Sequence, residues 1–150
     1  MNQRVASCAC GRLQLGCQGA PSRVSMCHCV DCQRRTGSVF GIAAFFDRRA
    51  VSVVEGVSKT YTRDSASGKR VTFHFCPECG STIFWEPERV PHLIGVAVGA
   101  FADPSFPRPQ QSVWTDNKHA WLCLPEDMPV FAATPPAREQ ANVNPGAQRA

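Results

Sequence analysis

The sequence predicts a mainly β domain, and three of its features support that fold class. Short apolar or alternating segments recur along the chain and are separated by turn-forming residues. No helical periodicity extends beyond one or two turns, and no internal repeat is present. Seven of the nine cysteines fall into tight clusters, as in small domains that metal ions hold together. With 150 residues, 43% of them hydrophobic, the chain is expected to form one domain with a moderate core.

The first half of the chain is predicted to contain five short strands and one helical turn. The helical turn covers residues 33–37 and ends at Gly37, a residue type that commonly terminates helices. Residues 38–46 are nearly all apolar or aromatic, and a bounded run of this kind favours a strand over a helix. The predicted strands are residues 13–17, 23–26, 38–46, 51–54 and 60–62.

The second half is predicted to add three strands and a long surface loop. Residues 70–75 alternate between polar and apolar side chains, and residues 81–85 and 92–98 follow as further strands. Residues 102–114 are rich in proline and polar side chains, which indicates a loop. Residues 118–124 are expected to form a last short element.

The two ends of the chain bound the predicted domain. Beyond Phe131 the sequence has few apolar anchors, so residues 132–150 are predicted to be a disordered tail and residues 5–131 the folded domain. The N-terminus lacks the apolar core of a signal peptide, and no run approaches the roughly 20 apolar residues that span a membrane. We therefore expect a cytoplasmic protein with no membrane partner.

The net charge gives little support for a nucleic-acid partner. The formal charge is +4, but seven thiolates and two Zn²⁺ ions would change it by −3, which leaves about +1. The chain also has no run of lysine and arginine interleaved with aromatic residues. The sequence therefore predicts no nucleic-acid binding.

Two cysteine pairs predict a closed zinc site. Cys8 and Cys10 are one residue apart, and side chains at that spacing share a face of an extended backbone. Cys76 and Cys79 bracket a tight turn of the zinc-knuckle type, in which Pro77 fixes φ and a glycine follows. Four thiolates complete a tetrahedral site, and such sites are structural. A shared zinc ion would join the start of the chain to its middle, and its loss is expected to unfold the domain.

A third cluster supplies three ligands and leaves the fourth coordination position undecided. Cys27, Cys29 and Cys32 form a C-x-C-x-x-C pattern. Either another residue completes a second structural site, or the position is open to water or a substrate thiol. The ring of His28 is expected to point away, because its neighbours already direct their thiols to the metal. The candidates for a fourth ligand are His28, His119, Cys17 and Cys123.

The two isolated cysteines are predicted to be core residues. Cys17 lies in an alternating strand segment, and Cys123 lies between Leu122 and Leu124. An iron–sulfur cluster is a weaker alternative to zinc, because the proline and glycine of the knuckle are more typical of zinc ribbons. A methionine sulfoxide reductase would need a reactive cysteine outside the metal sites, and the flanks of Cys123 indicate burial instead.

Three stretches of the chain carry a family resemblance. They are Cys8-Ala9-Cys10-Gly11, the segment CHCVDCQRRTG from Cys27 to Gly37, and the segment FCPECGS from Phe75 to Ser81. Their order and spacing resemble the glutathione-dependent formaldehyde-activating enzyme family, which also includes centromere-protein-V-like proteins. The resemblance extends from about Cys8 to Phe131, where the domain ends in LPEDMPVF.

The resemblance implies a fold, two metal ions and an activity. The fold is a β-tent of small antiparallel sheets around two zinc ions per chain. The activity condenses formaldehyde with glutathione to S-hydroxymethylglutathione and is classed as a carbon–sulfur lyase. The trio Cys27, Cys29 and Cys32 would hold the catalytic-type zinc, which three ligands bind less tightly than four. The structural zinc would be held by Cys8, Cys10, Cys76 and Cys79.

The sequence identifies few residues for substrate binding. His28 is a weak candidate for proton transfer, because it lies between two of the trio cysteines. An alternative function is a non-catalytic zinc module that binds a protein or nucleic-acid partner. The candidates for contacts to a peptide or carboxylate are Arg34, Arg35, Lys118 and Trp114.

Overall fold

The structure is a computed structural model that describes residues 2–135, and this part of the chain folds into ten strands with little helix. The mainly β prediction is confirmed, while the finer β-tent description stays a prediction. The α-helix is α1 (Val30–Thr36), and three 3-10 helices cover Arg48–Ala50, Val98–Phe101 and Thr115–Asn117. The strands are β1 (Gln3–Ser7), β2 (Gln14–Gln18), β3 (Arg23–Cys27), β4 (Gly41–Asp47), β5 (Val51–Glu55), β6 (Lys59–Asp64), β7 (Arg70–Phe75), β8 (Thr82–Pro87), β9 (Leu93–Ala97) and β10 (Gln111–Val113).

The strands form two sheets. The smaller sheet has the order β1-β2-β5, and the larger sheet has the order β10-β3-β4-β9-β8-β7-β6. Neighbouring strands are antiparallel throughout, except that β10 runs parallel to β3. Short hairpin connections such as β6–β7 and β7–β8 account for the antiparallel pairs that follow each other in sequence.

The core combines residues of both sheets. Successive residues of a strand point to opposite faces, so Val24 of β3 and Ala44 and Phe46 of β4 share one face. These three side chains are fully buried and belong to the same hydrophobic cluster as Leu15 of the smaller sheet. Burial of a side chain the size of leucine or phenylalanine contributes about 1.5–3 kcal/mol. The opposite face of β3 carries Arg23, Ser25 and Cys27, which do not belong to this hydrophobic cluster.

The predicted loop at residues 102–114 is partly wrong, because its end forms β10. This strand pairs with β3, and all three of its residues are buried. The segment gave no strand signal because two of its three residues are polar. Those polar groups are satisfied by partners that only the fold provides: Gln111 Nε2 donates to Ser25 Oγ at 3.1 Å, and Ser112 Oγ is 2.7 Å from His28 Nε2.

The two isolated cysteines differ from each other. Cys17 is fully buried in β2, which confirms the prediction, whereas Cys123 is exposed, so its assignment to the core is wrong. The segment around Cys123 forms a turn instead of a helix or strand. Lys118 Nζ stabilises this turn by donating to the carbonyl oxygens of His119 and Leu122. The leucine flanks misled the prediction, because Leu122 and Leu124 are themselves only half-buried.

The N-terminal end of the chain contains a strand that the sequence did not predict. Strand β1 was not predicted, because Gln3–Ser7 is largely polar and is stabilised by its pairing with β2. Of the predicted disordered tail, residues 136–150 lie outside the described residues. Within residues 2–135, no helix has the length and apolar character needed to cross a membrane.

Candidate metal centres and the adjoining cavity

The first cysteine cluster has the dimensions of a tetrahedral zinc site. The sulfur atoms of Cys8, Cys10, Cys76 and Cys79 all lie within 4.8 Å of one another. The Sγ atoms of Cys8 and Cys10 are 3.6 Å apart, and those of Cys10 and Cys76 are 3.7 Å apart. Four sulfurs at about 2.3 Å from a zinc ion would be separated by about 3.8 Å. The four thiols therefore fit a zinc ion that they surround completely.

Two similar backbone turns build this cluster. The Gly11 amide donates to the Cys8 carbonyl at 3.0 Å, and the Gly80 amide donates to the Cys76 carbonyl at 2.9 Å. Both glycines have positive φ values, +78° and +75°, which glycine adopts without strain. Cys8 directly follows β1 of the smaller sheet and Cys76 directly follows β7 of the larger sheet. The cluster therefore joins the two sheets.

The second cluster lies where β3 meets α1. Cys27 is the last residue of β3, Cys29 is the N-cap of α1, and Cys32 lies in the first turn of the helix. Cys29 Sγ accepts a hydrogen bond from the Cys32 amide at 3.3 Å. The three sulfur atoms lie within 4.8 Å of one another. The end of β3 and the first turn of α1 thus direct the three thiols toward one point.

The three thiols share negative charge. Hydrogen bonds from the Cys27 and Cys32 thiols hold the pKa of Cys29 well below its usual value. The same contact with Cys29 raises the pKa of the Cys27 thiol. A divalent cation would remove this conflict, because it stabilises all three thiolates together. The donor set therefore fits a metal ion, and thiolates favour zinc among the common ions.

No further metal ligand joins this trio in the described part of the chain. His28 Nε2 is hydrogen-bonded to Ser112 Oγ, and His119 Nε2 is 3.0 Å from a glutamine oxygen of α1. Cys17 lies in the core and Cys123 lies on the surface, so neither belongs to the cluster. The trio could supply three ligands to a metal ion, and no fourth protein donor among residues 2–135 groups with it.

His28 is a structural neighbour of the trio. Its side chain is fully buried, does not line the cavity described below, and packs edge-on against Phe40 at 6.1 Å between ring centroids. Burial lowers the pKa of the imidazole, and Lys118 adds to this effect. The His28 amide also donates to the Val113 carbonyl, so the residue anchors β10. This position separates it from a ligand in the cavity.

The trio opens onto a cavity of about 410 Å³. One face of the larger sheet forms its floor, because the residues paired across β10, β3 and β4 alternate between core and cavity. Ser25 and Cys27 of β3 lie on this floor beside Ala43 and Gly41 of β4. The four-cysteine cluster does not line this cavity. Only the three-cysteine cluster is therefore placed to meet a ligand there.

The cavity is strongly basic. Asp31 is the only acidic residue among its described lining residues, and it forms an ion pair with Arg63 at 3.2 Å. Three thiolates and one Zn²⁺ would add −1, so four arginines leave a charge of about +2. Such a cavity favours an anionic ligand. The arginines that line it are Arg23, Arg35, Arg63 and Arg89.

Aromatic rings hold the guanidinium groups in place. The Cζ atom of Arg35 lies 4.5 Å from the ring centroid of Trp85 and 5.6 Å from that of Phe73. Arg63 Cζ lies 5.2 Å from the Phe73 ring. Stacking of this kind orients a guanidinium while leaving its N–H edges free to bind an anion.

Only two of the four predicted substrate contacts line the cavity. Arg35 and Trp114 line the cavity, whereas Arg34 and Lys118 do not. Trp114 also has a φ value of +58°, which is uncommon for a residue with a side chain and often accompanies functional sites. Sequence reasoning gave no indication of this conformation.

Three cavity arginines were not predicted at all. Arg63 and Arg89 are distant from the trio in sequence and carry no local motif. Arg23 offered one usable signal, because it lies four residues before Cys27 in a predicted strand and therefore shares its face.

Comparison with known proteins identifies the family. The sequence model for "Glutathione-dependent formaldehyde-activating enzyme" matches residues 3–117. No curated protein matches. A crystal structure of a Rhodobacter sphaeroides protein, a structural genomics target, is similar in fold, with 22% identity and a TM-score of 0.50 over 64% of this chain and 85% of that chain. Because the family model covers most of the chain, the protein belongs to the glutathione-dependent formaldehyde-activating enzyme family.

Proposed function

We propose that this protein is a zinc-dependent enzyme of the carbon–sulfur lyase class that joins formaldehyde to a small thiol of the glutathione type. One observation carries the proposal: residues 2–135 contain two thiol clusters, and only the three-cysteine cluster lines the arginine-rich cavity. Closed zinc sites are structural, and catalytic sites keep a position for water or substrate. A protein that needed zinc only for folding would gain nothing from a cationic cavity beside it.

The two clusters have different roles in this proposal. Cys8, Cys10, Cys76 and Cys79 hold a structural zinc, and the β-tent description of the fold remains part of the proposal. The trio Cys27, Cys29 and Cys32 holds the second zinc. Zinc bound there supplies positive charge that lowers the pKa of an incoming thiol and a coordination position for its sulfur.

The reaction forms one carbon–sulfur bond. The substrate thiol releases its proton to water, the thiolate attacks the carbonyl carbon of formaldehyde, the π electron pair moves to oxygen, and that oxygen takes up a proton from water, so no net proton is gained or lost. The product is the S-hydroxymethyl thiol. Arg35 and Arg63 favour the anionic sulfur and the developing charge on oxygen, because their guanidinium groups face the cavity. Phe73 and Trp85 orient these arginines through stacking of the guanidinium groups on their rings.

The cellular setting follows from the thiols. Clustered cysteines at metal-ligand spacings are typical of proteins in a reducing compartment, where thiols stay reduced. We therefore assign the protein to the cytoplasm, where glutathione is available as a partner. The charge of about +1 after metal loading supports a small-molecule substrate over nucleic acid.

The test combines metal analysis with turnover. Zinc and free thiols are counted per chain, and exchange between ¹³C-formaldehyde and its glutathione adduct is followed by NMR above the uncatalysed rate. Wild-type protein is expected to hold two zinc ions and to accelerate exchange. Cys29→Ser is expected to hold one zinc and to lose the acceleration. Cys123→Ser is the matched control, because that exposed cysteine lies outside both clusters.

Two results would contradict the proposal. Exchange at the wild-type rate in Cys29→Ser would remove the trio from the reaction. Two tightly bound zinc ions without any acceleration would instead favour a non-catalytic zinc module.

A further inference from the structure

Arg23 is a buried residue whose charge has no anionic partner among residues 2–135. The residue is 8% exposed, and its guanidinium makes no hydrogen bond or ion pair with residues 2–135. Its Nε atom is shielded from solvent as well. Buried polar groups are almost always hydrogen-bonded, and a buried charge without a partner lowers stability. Such a group calls for a partner that residues 2–135 do not supply.

The neighbouring charge that acts on Arg23 is positive and therefore does not neutralise it. Burial lowers its pKa, and the positive charge of Arg89 adds to this effect. Its Cζ atom lies 4.8 Å from the ring centroid of Phe45, which holds the guanidinium plane in position. Arg89 lines the same cavity, is exposed, and donates only a long hydrogen bond of 3.4 Å to the Pro135 carbonyl. Two arginines thus line the same cavity close enough for their charges to interact, which favours an anionic ligand there.

Strand geometry places Arg23 at a fixed distance from the trio. Arg23, Ser25 and Cys27 alternate with core residues along β3 and all line the cavity. The Cα atoms of Arg23 and Cys27 are four residues apart, or roughly 13 Å along an extended strand. Ser25 lies between them, and Gln111 holds its hydroxyl group. Cys27 at one end of β3 and Arg23 at the other end therefore mark two separate parts of the cavity.

We propose that Arg23, assisted by Arg89, is a carboxylate-binding subsite of the cavity. The inference rests on the proposed function for the other end, where the trio receives the sulfur of the ligand. It adds that the ligand is a thiol whose carboxylate lies far from the sulfur. A guanidinium binds a carboxylate through two parallel hydrogen bonds. A peptide thiol carries its carboxylates several bonds from the sulfur and so extends further toward Arg23 than a two-carbon mercapto acid, in which the two carbon atoms include the carboxylate itself.

A cycle of ligands and variants tests the subsite. The zinc-loaded full chain is titrated calorimetrically with S-methylglutathione, which keeps the carboxylates but lacks a free thiol. A second titration uses S-methylglutathione diethyl ester, which lacks the carboxylates as well. Both are repeated with Arg23→Met, which keeps the stacking stem, and with Arg89→Met. Arg34→Met is the matched control, because that arginine lies on α1 outside the cavity lining.

The cycle has a definite expected result. Arg23→Met is expected to weaken binding of S-methylglutathione about 10- to 100-fold, the effect of one charge-assisted hydrogen-bonded pair. Wild type and Arg23→Met are expected to bind the diester equally weakly. Arg89→Met is expected to weaken binding less, and Arg34→Met not at all. An equal loss for both ligands, or no loss, would contradict the subsite.

Thermal unfolding separates ligand binding from a structural role. Without ligand, Arg23→Met removes an uncompensated buried charge, so its Tm is expected to stay level or rise. A fall in Tm with unchanged ligand binding would show that Arg23 serves the fold. If Arg23→Met does not fold, the titrations are repeated with the uncharged Arg23→Gln, and full binding of S-methylglutathione by that variant would overturn the proposal. Inorganic phosphate that binds wild type more tightly than S-methylglutathione would assign the subsite to phosphate instead.

Failure of this inference and failure of the proposed function give different results. If the protein does not act on formaldehyde, Arg23-dependent binding of S-methylglutathione persists without turnover. If the subsite is wrong, glutathione turnover continues unchanged in Arg23→Met.

Discussion

Gly95 illustrates how a single residue shapes the cavity wall. A Cβ atom at this position would lie 2.3 Å from Trp85 Nε1, so the indole occupies the space that the missing side chain leaves. Arg35 stacks on that indole, and its guanidinium faces the cavity. The position of one cavity arginine therefore depends on a glycine in β9 that touches no ligand.

Gly95→Ala is expected to displace Trp85 and to destabilise the protein by about 1–3 kcal/mol through overpacking. Chemical denaturation measures the loss, and a change in tryptophan fluorescence reports the displaced indole. Gly99→Ala is the control, because a Cβ atom there meets no heavy atom within 4 Å. Equal stability of the two variants would show that Trp85 adjusts without cost.

The site residues differ in how far the sequence predicts them. The cysteines are predictable because metal ligands require short, repeated spacings such as those of Cys27, Cys29 and Cys32. Arg63 and Arg89 are not, because a guanidinium reaches the cavity from any element that the fold brings near. Arg23 is intermediate, since the period of β3 relates it to Cys27 but gives no sign that its charge lacks a partner.

At the level of elements, α1 links local helix geometry to metal binding. Cys29 is both its N-cap and a proposed ligand, and Gly37 ends the helix in a left-handed conformation with φ of +69°. The helix is only seven residues long, so these two ends define most of its conformation. The N-terminal turn of this short helix therefore places two of the three thiols, those of Cys29 and Cys32.

Substitutions at Cys29 separate its two roles. Serine is a good N-cap, so Cys29→Ser is expected to keep the helix while losing one zinc ion per chain. Cys29→Ala is expected to lose the same zinc and a further ~1 kcal/mol of stability. Metal analysis and denaturation of both variants measure these effects. Two zinc ions in either variant would show that Cys29 is not a ligand.

Strand β10 shows why some elements escape sequence prediction. Its three residues have no alternating pattern, and its position depends on pairing with β3, which lies far away in sequence. Ser112 supplies the hydrogen bond for the buried ring of His28. Ordering of this strand is thus a property of the assembled sheet.

Ser112→Ala is expected to cost about 1–3 kcal/mol of stability, because it leaves His28 Nε2 buried without a partner. Urea denaturation measures the change, and Ser38→Ala at an exposed position is the control. Retention of turnover is expected in the folded variant, because His28 does not line the cavity. Loss of turnover at wild-type stability would give His28 a role in the reaction.

At the level of the whole molecule, the four-cysteine cluster connects the two sheets. Cys8 follows β1 of the smaller sheet, and Cys76 follows β7 of the larger sheet. The sequence predicts most individual strands and the two cysteine clusters, because both have local patterns. It does not predict the order β10-β3-β4-β9-β8-β7-β6, because pairs such as β4 with β9 depend on distant segments. The cavity belongs to this unpredicted level, since its floor and walls come from many strands.

The most direct test of the account is stepwise removal of zinc from the wild-type protein. A chelator is titrated while released zinc, far-UV circular dichroism and formaldehyde–glutathione exchange are recorded together. We expect the first zinc to leave with loss of exchange and an unchanged spectrum, because three ligands hold it beside an open cavity. The second zinc is expected to leave with unfolding. Release of both ions in one unfolding step, or exchange that survives loss of the first, would contradict the division into an open and a closed site.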